Sequence, residues 1–224
     1  MPWAQLAAHM REHAAPAGAA HAELALRVVA ERTQDYNLER ESAVAAGVLP
    51  LVVAAMGAHP DSAAVQQQAC SALRNIKHSF FLLGDERAQE AVAASALPLV
   101  VAAMRAHPAS AAVQEQACGA LRNITAISNA QGNARRQAAV AAGALPLVVA
   151  AMRAHPASAA VQEPACWALY SIAFGGDACK QAAVEAGALP QIVAAMRAHP
   201  ANAIVQESGR IARRRLEGPN CVVS

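Results

Sequence analysis

The sequence ALPLVVAAMRAHPASAAVQEPACWALYSI, which spans Ala144–Ile172, is repeated along the chain. Nearly the same letters run from Ala96 to Ile124 and from Val48 to Ile76, and a shorter copy begins at Ala188. The methionine in each copy gives spacings of 48, 48 and 44 residues, measured at Met56, Met104, Met152 and Met196. Spacings of this size indicate an array of stacked structural units.

A weaker copy, AHMREHAAPAGAAHAELALRVV, begins at Ala8 and places Met10 another 46 residues before Met56. The array therefore fills residues 1–217 without a domain boundary. We expect a degenerate N-terminal unit at 1–37, units at about 38–86, 87–134 and 135–178, a capping unit at 179–217 and a flexible tail at 218–224.

The composition favours helices over strands. The 224 residues include 62 alanines, hydrophobic residues make up 55% of the chain, and aromatic residues only 3%. Alanine propagates helices at low conformational cost and lets neighbouring helices approach closely. We therefore expect an all-α protein.

The net charge and the cysteine content indicate which classes of partner and which cellular compartment to expect. A formal net charge of +2 is too small to make nucleic acid an expected partner. No apolar run is long enough to span a bilayer. Five cysteines without close pairs favour a reducing compartment. We expect a cytoplasmic monomer.

Three helices are predicted in each unit. A short first helix precedes a Gly or Ser, and we place these helices at Leu38–Ala46, Arg87–Ala94, Arg135–Ala142 and Lys180–Ala186. The second helix starts at the proline of the Leu-Pro pair and ends at His-Pro, because the residue before proline avoids helical backbone angles. The third begins at small polar caps, which are Asp61 or Ser62, Ser110, Ser158 and Asn202.

The buried faces follow from helical spacing. Leu145, Val148, Val149 and Met152 define one face of a second helix, and Val65, Ala69, Leu73 and Ile76 define one face of a third. A single unit cannot bury both faces, so neighbouring units must stack. Pro164 replaces the glutamines found at positions 68 and 116, and we expect it to delay or kink its third helix.

These units resemble armadillo repeats, whose pattern is a short helix ending in Gly, an apolar-Pro second helix and a VQEQAxxALRNI third helix. The match is closest over Arg135–Ile172 and covers nearly all of the chain, although the units are longer than usual; a variant armadillo or HEAT-like array is the alternative. The resemblance implies a right-handed α-solenoid of armadillo-like three-helix repeats. It also implies a concave groove, lined by third helices, that binds an extended peptide or partner protein.

The resemblance selects candidate groove residues on the third helices. They are Arg74, Asn75, Arg122, Asn123, Trp167, Tyr170 and Ser171. We expect the Arg and Asn side chains to bind a peptide backbone or acidic side chains, with Trp167 and Tyr170 as an anchor. The competing interpretation is that each Asn only spans neighbouring helices and each Arg only solvates the surface.

A karyopherin-like cargo adaptor is the less favoured alternative. In nuclear-import armadillo adaptors, a Trp and an Asn one helical turn apart grip a basic peptide. Here Asn75 and Asn123 lack the Trp, and Trp167 is followed by Ser171 in place of Asn. Arg74 and Arg122 would also repel a basic signal.

No cofactor, metal or catalytic site is predicted. His59, His107, His155 and His199 occur once per unit, too far apart to share a zinc ion, so we expect them to contact carbonyls at helix C-termini. Cys70, Cys118 and Cys166 are interpreted as small core residues. Phosphate-loop, dinucleotide, nucleophile-elbow and zinc-protease motifs are absent from the sequence, so we expect a non-catalytic scaffold.

The last residues carry a separate hypothesis. Cys221-Val222-Val223-Ser224 matches a C-a-a-X box, which would place a farnesyl group on Cys221. Arg210, Arg213, Arg214 and Arg215 lie upstream and would add attraction to an anionic membrane. A prenylated, membrane-tethered adaptor is therefore the second alternative. Arg213 also stands where Leu169 lies in the preceding unit, as an end cap requires. Upstream, the apolar loop Lys77–Asp85 is expected to cover the neighbouring unit's core; the alternative is an apolar contact for a partner.

Overall fold

The protein is described by a computed structural model over residues 2–12, 18–35, 37–75, 86–126 and 130–218. Every regular element in these ranges is a helix. In chain order they are α1 (Trp3–Glu12), α2 (Ala19–Asp35), α3 (Asn37–Ala45), α4 (Val48–Ala58), α5 (Ala63–Asn75), α6 (Glu86–Ala106), α7 (Ala111–Thr125), α8 (Ala130–Ala141), α9 (Ala144–Ala154), α10 (Ala159–Ala173), α11 (Asp177–Glu185), α12 (Ala188–Ala198) and α13 (Ala203–Glu217).

Successive units stack side by side, and the third helices form the main seam. Helices α2, α5, α7, α10 and α13 each contact the next in this order more extensively than most other helix pairs. The second helices of neighbouring units also contact each other, as α9 and α12 do. This arrangement is the all-α solenoid that the repeat predicts.

The His-Pro turn ends each second helix as predicted. Helices α4, α9 and α12 stop at the alanine before the histidine, whose backbone N–H still donates to the carbonyl four residues earlier. The third helix then starts at its small polar cap. Ser110 Oγ accepts from Val113 N at 3.3 Å, and Asn202 Oδ1 accepts from Val205 N at 3.1 Å. The second helices begin two residues before the proline, so the proline lies in the first turn.

One unit departs from the three-helix plan. A glycine separates first and second helices in the other full units, where Gly47, Gly143 and Gly187 adopt φ values of 69°, 79° and 83°. The equivalent residue is Ser95, for which the left-handed conformation would cost about 1 kcal/mol. The helix therefore runs through it, and the separate helix predicted at Arg87–Ala94 is wrong: α6 is a single helix that contains Pro98.

Three other sequence-based expectations also differ from the structure. The first helix of the following unit begins at Ala130, not Arg135, because the small and polar residues before Arg135 continue the helix instead of forming a loop. Gly132 is buried there. Helix α11 begins at Asp177, not Lys180. Helix α10 starts at Ala159, in register with Ala111 of α7, so Pro164 does not delay it.

The core is built from small residues. The faces predicted for the second and third helices are buried, including Leu145, Val148, Val149 and Met152. Along the third-helix seam, alanine and cysteine side chains are fully buried in three successive units: Ala69, Cys70, Ala72, Ala117, Cys118, Ala120, Ala165, Cys166 and Ala168. Small side chains at these positions allow the close helix contacts that the alanine content predicts. Ile76 lies outside the described residues.

A buried glutamine joins the second and third helices of each full unit. Gln162 Nε2 donates to the carbonyls of Met152 and His155, each at 2.9 Å. Gln66 and Gln114, which are also buried, and Gln206, which is partly buried, make the same pair of bonds in their own units. The methionine carbonyl lies in the last turn of the second helix, where the proline four residues later has no N–H to donate. The histidine carbonyl, at the cap, also accepts from the backbone N–H of the third-helix cap residue. The glutamine therefore completes the helix end and fixes the angle between the two helices.

Within the described ranges, no single helix meets the length and hydropathy needed to cross a bilayer. Helices α8 and α9 do so only as a pair, across a bend of 65°.

Replacing this glutamine should weaken the whole unit. We expect Gln162→Leu to lower the free energy of unfolding by about 1–3 kcal/mol, because the Met152 carbonyl loses its donor while the His155 carbonyl keeps only the Ser158 backbone N–H. Urea denaturation followed by circular dichroism measures the change. Gln137→Leu, the same substitution at an exposed position on α8, is the control and should change stability by less than about 0.5 kcal/mol. Equal effects of the two substitutions would contradict the assigned role.

Candidate functional site

A hydrogen-bond ladder crosses the third-helix seam at one equivalent position in each unit. Asn75 Nδ2 donates to the Ala30 carbonyl at 2.9 Å, and Asn123 Nδ2 donates to the Arg74 carbonyl. Ser171 Oγ, at the next equivalent position, donates to the Arg122 carbonyl at 3.4 Å. The amide nitrogens of both asparagines thus bond to a neighbouring helix. This contact is the one expected if each asparagine only spans neighbouring helices. The role of the asparagines in peptide binding stays a prediction.

Helices α7 and α10 share an additional buried contact. Thr125 Oγ1 donates to Ser171 Oγ at 2.8 Å and also lies 2.8 Å from the Leu121 carbonyl. Ser171 is buried, so its side chain supports the seam from within.

Arg74 and Arg122 each reach toward the next third helix and meet a glutamate. Arg74 Nη1 lies 3.3 Å from Glu115 Oε1, and Arg122 Nη1 lies 3.7 Å from Glu163 Oε1. The stem of Arg74 crosses α7 at Gly119, where a Cβ atom would lie 2.5 Å from Arg74 Cδ. Both arginine side chains remain about one-third exposed.

Trp167 occupies the position of Gly119 in the next unit, and the arginine there stacks on it. The Arg122 guanidinium carbon lies 4.7 Å from the centre of the Trp167 ring, within range of a cation–π interaction. Trp167 also meets Tyr170 edge to face, with ring centres 5.7 Å apart. Burial lowers the pKa of Arg122, whereas the charge of Glu163 raises it. The structure therefore brings Arg122, Trp167 and Tyr170 into one cluster.

Two residues that sequence reasoning missed extend this cluster. Phe174, directly after α10, is 44% exposed, and its ring centre lies 5.9 Å from that of Tyr170. Arg136 of α8 and Arg215 of α13 place their guanidinium carbons 5.5 Å and 4.8 Å from the Phe174 ring centre. Phe174 has no equivalent in the other units, so the repeat gave no signal for it. Arg136 stands before Gly143 as Arg40 does before Gly47, but nothing in the repeat links it to Phe174.

The cluster encloses a hollow of about 230 Å³. Of the predicted site residues, Arg122, Trp167, Tyr170 and Ser171 line it, together with Ala126, Arg136 and Phe174. Arg74, Asn75 and Asn123 do not line it and belong to the seam between other units. The hollow joins aromatic faces to guanidinium groups, a combination enriched at protein interfaces.

The repeated histidines link neighbouring units. Nε2 of His107, His155 and His199 lies 2.8–2.9 Å from the carbonyl of the proline in the preceding His-Pro turn, at Pro60, Pro108 and Pro156. The predicted carbonyl contact is therefore present at these three histidines, but it bridges two units instead of capping the histidine's own helix. At His59 the prediction is wrong, because the buried Nε2 atom has no hydrogen-bond partner within the described residues. No group of three or more candidate metal ligands occurs among the residues that the structure describes.

The cysteines form a buried column on the third helices. Cys70, Cys118 and Cys166 are fully buried, and burial raises the pKa of Cys70 and of Cys166 to about 12. The pKa of Cys118 is also raised, first by burial. These thiols are therefore protonated at neutral pH and are poor nucleophiles.

The arginines near the C-terminus have separate contacts. Arg210 pairs with Glu207 at 2.8 Å and Arg213 with Glu217 at 2.6 Å. Arg215 Nη2 donates to the Ala173 carbonyl at 3.0 Å, so it takes the position in the ladder that Ser171 holds in α10. Arg214 is exposed. Lipid attachment at Cys221 stays a prediction, since residue 221 lies outside the described ranges, as does the loop at 77–85.

The units stack along a continuous seam of third helices, and one unit has its first two helices merged into α6. This arrangement defines an α-solenoid of the armadillo class. The family model described as "LRRK2 ARM repeat" matches residues 29–213, and the chain belongs to this armadillo repeat family. A comparison with curated proteins gave no match.

Solved structures share this fold. A designed armadillo repeat protein is 24% identical, with a TM-score of 0.59 over 87% of this chain and 92% of its own. Two engineered proteins have TM-scores of 0.52 and 0.51 at 20% and 21% identity. They cover 96% and 88% of this chain, and 96% and 92% of their own chains. At these identities the likeness concerns the fold alone.

The buried thiols should resist alkylation. In the folded protein at pH 8, we expect iodoacetamide to leave Cys70, Cys118 and Cys166 unmodified, because burial and the raised pKa suppress the thiolate. Peptide mapping by mass spectrometry measures the labelling, and the urea-unfolded chain is the control in which all three should react. Rapid labelling of all three in the folded chain would contradict a packed seam.

Proposed function

We propose that the protein is a non-catalytic scaffold that binds a segment of another protein across its third-helix surface. The observation that carries this proposal is the cluster of Arg122, Trp167 and Tyr170 around a hollow of about 230 Å³. Trp, Tyr and Arg contribute most often to the binding energy of protein interfaces. A monomeric, cytoplasmic protein is part of the same proposal.

The arrangement of the cluster supports a preformed site. Trp167 is half-buried and is held between Arg122 on one neighbouring helix and Tyr170 on its own. Arg122 is itself restrained by Glu163. A ligand would therefore meet side chains that have already lost much of their rotational freedom, which lowers the entropic cost of binding.

A bound segment would place one apolar or aromatic side chain in the hollow. The hollow lies between α7, α8 and α10 and has room for a single large side chain. Neighbouring third-helix residues would then contact the segment's backbone. Arg74 and the two asparagines lie at the contacts of α5 with its neighbouring third helices. They would contribute to binding only if the segment extends that far.

The proposal predicts a large effect of Trp167→Ala on binding. Peptides selected from a random linear display library against the purified protein should bind the Trp167→Ala variant about 30-fold more weakly, as expected for an aromatic hot spot worth about 2 kcal/mol. Arg122→Glu should also weaken binding. Fluorescence polarisation with labelled peptides measures the affinities.

The control is Arg105→Glu, which makes the same charge change as Arg122→Glu at an exposed position in the last turn of α6. It should alter the affinity by less than about twofold. If the selected peptides bind Trp167→Ala and Arg122→Glu as tightly as the unmodified chain, the third-helix surface is not the binding site.

A further inference from the structure

We propose that a second, basic subsite adjoins the aromatic hollow and receives acidic residues of the same bound segment. This inference rests on the proposed function. It concerns a larger hollow of about 710 Å³ at the junction of α10, α11 and α13, which shares Tyr170 and Phe174 with the smaller one. The two hollows are therefore adjacent, so neighbouring stretches of one peptide can occupy both.

The charges of the second hollow favour an acidic ligand. Four basic side chains line it, which are Lys180, Arg210, Arg214 and Arg215. The acidic residues of its lining are Asp177 and Glu217. Glu217 is paired with Arg213 and Arg210 with Glu207, so Lys180, Arg214 and Arg215 face Asp177. The lining thus carries an excess of positive charge even though the chain as a whole is close to neutral. A segment rich in Glu or Asp complements this charge, whereas a basic segment would be repelled.

Phe174 lines both hollows, and Arg215 lies beside it in the basic one. Arg215 is held in place because Nε and Nη2 both donate to the Ala173 carbonyl, at 3.2 Å and 3.0 Å. A guanidinium group has five N–H donors, so others remain for a ligand carboxylate. The guanidinium carbon of Arg215 also lies 4.8 Å from the centre of the exposed Phe174 ring. A peptide passing this point would meet a fixed guanidinium group and an aromatic face together.

The two subsites together define a sequence class for the partner. One aromatic or large apolar residue would fill the Trp167 hollow, and a run of acidic residues would follow or precede it over the basic hollow. Because Tyr170 and Phe174 line both hollows, the acidic run can lie on either side of the apolar residue in the partner's sequence. Exposed charges contribute little singly, so several acidic residues are needed for a measurable effect.

The test uses three fluorescein-labelled linear peptides that contain the same single phenylalanine next to a run of Glu, Gln or Lys. We expect the glutamate peptide to bind the full chain at least tenfold more tightly than the glutamine peptide, and the lysine peptide to bind most weakly. Raising the salt concentration to about 0.5 M should remove most of the difference, because it screens exposed charges. Arg210→Glu/Arg214→Glu should weaken the glutamate peptide about tenfold and leave the glutamine peptide within twofold.

The matched control is Arg105→Glu/Arg153→Glu, which changes the net charge equally at exposed positions on second helices. Equal binding of the Glu and Gln peptides, or an equal loss in the control, would overturn the basic subsite. If Trp167→Ala still weakens the glutamine peptide in that case, the proposed function survives alone. Binding to phosphatidylserine vesicles without binding to any peptide would assign the basic residues to a membrane and overturn the inference.

Discussion

The hydrogen bonds from one buried glutamine to the end of the second helix hold each unit in its shape. Gln66, Gln114, Gln162 and Gln206 stand at the same place in the third helix. Each donates to a methionine carbonyl that the following proline leaves without a backbone donor, and shares the histidine carbonyl with the N–H of the third-helix cap residue. The His-Pro turn can therefore be sharp without leaving buried polar groups unsatisfied. Because the turn is fixed, the third helix of every unit leaves at the same angle and can stack on its neighbour.

Stacking then creates the surface on which binding is proposed. Alanine and cysteine keep the third helices close, and the ladder of Asn75, Asn123, Ser171 and Arg215 fixes their register. Residues that point away from the seam consequently line up from unit to unit. Where Gly119 is replaced by Trp167, the arginine of the preceding unit stacks on an aromatic ring instead of passing over a glycine. A single change within an otherwise regular array thereby produces a local site.

Much of the architecture could be predicted from the sequence because it is repeated. The ends of the second helices, the caps and the buried faces recur in each copy. A pattern that recurs in several copies rarely arises by chance, so each of these features could be assigned from the sequence. The continuous helix through Ser95 was not predicted, because a serine is compatible with either a helix end or a helix interior and only the glycine decides between them. The buried role of Gln162 was also missed, although a polar residue at the same place in every unit was a usable signal. Phe174 occurs once and meets Arg136 only when α8 and α10 are packed together, so no pattern along the chain could join them.

Hydrogen–deuterium exchange of the protein with and without a selected peptide tests the central claim most directly, because it locates the bound segment without any substitution. The account predicts that peptide binding slows exchange in α7, α10 and the start of α11, and leaves α9 and α12 unchanged. Slower exchange confined to the second helices, or no change in α10 at a peptide concentration that saturates binding, would contradict it.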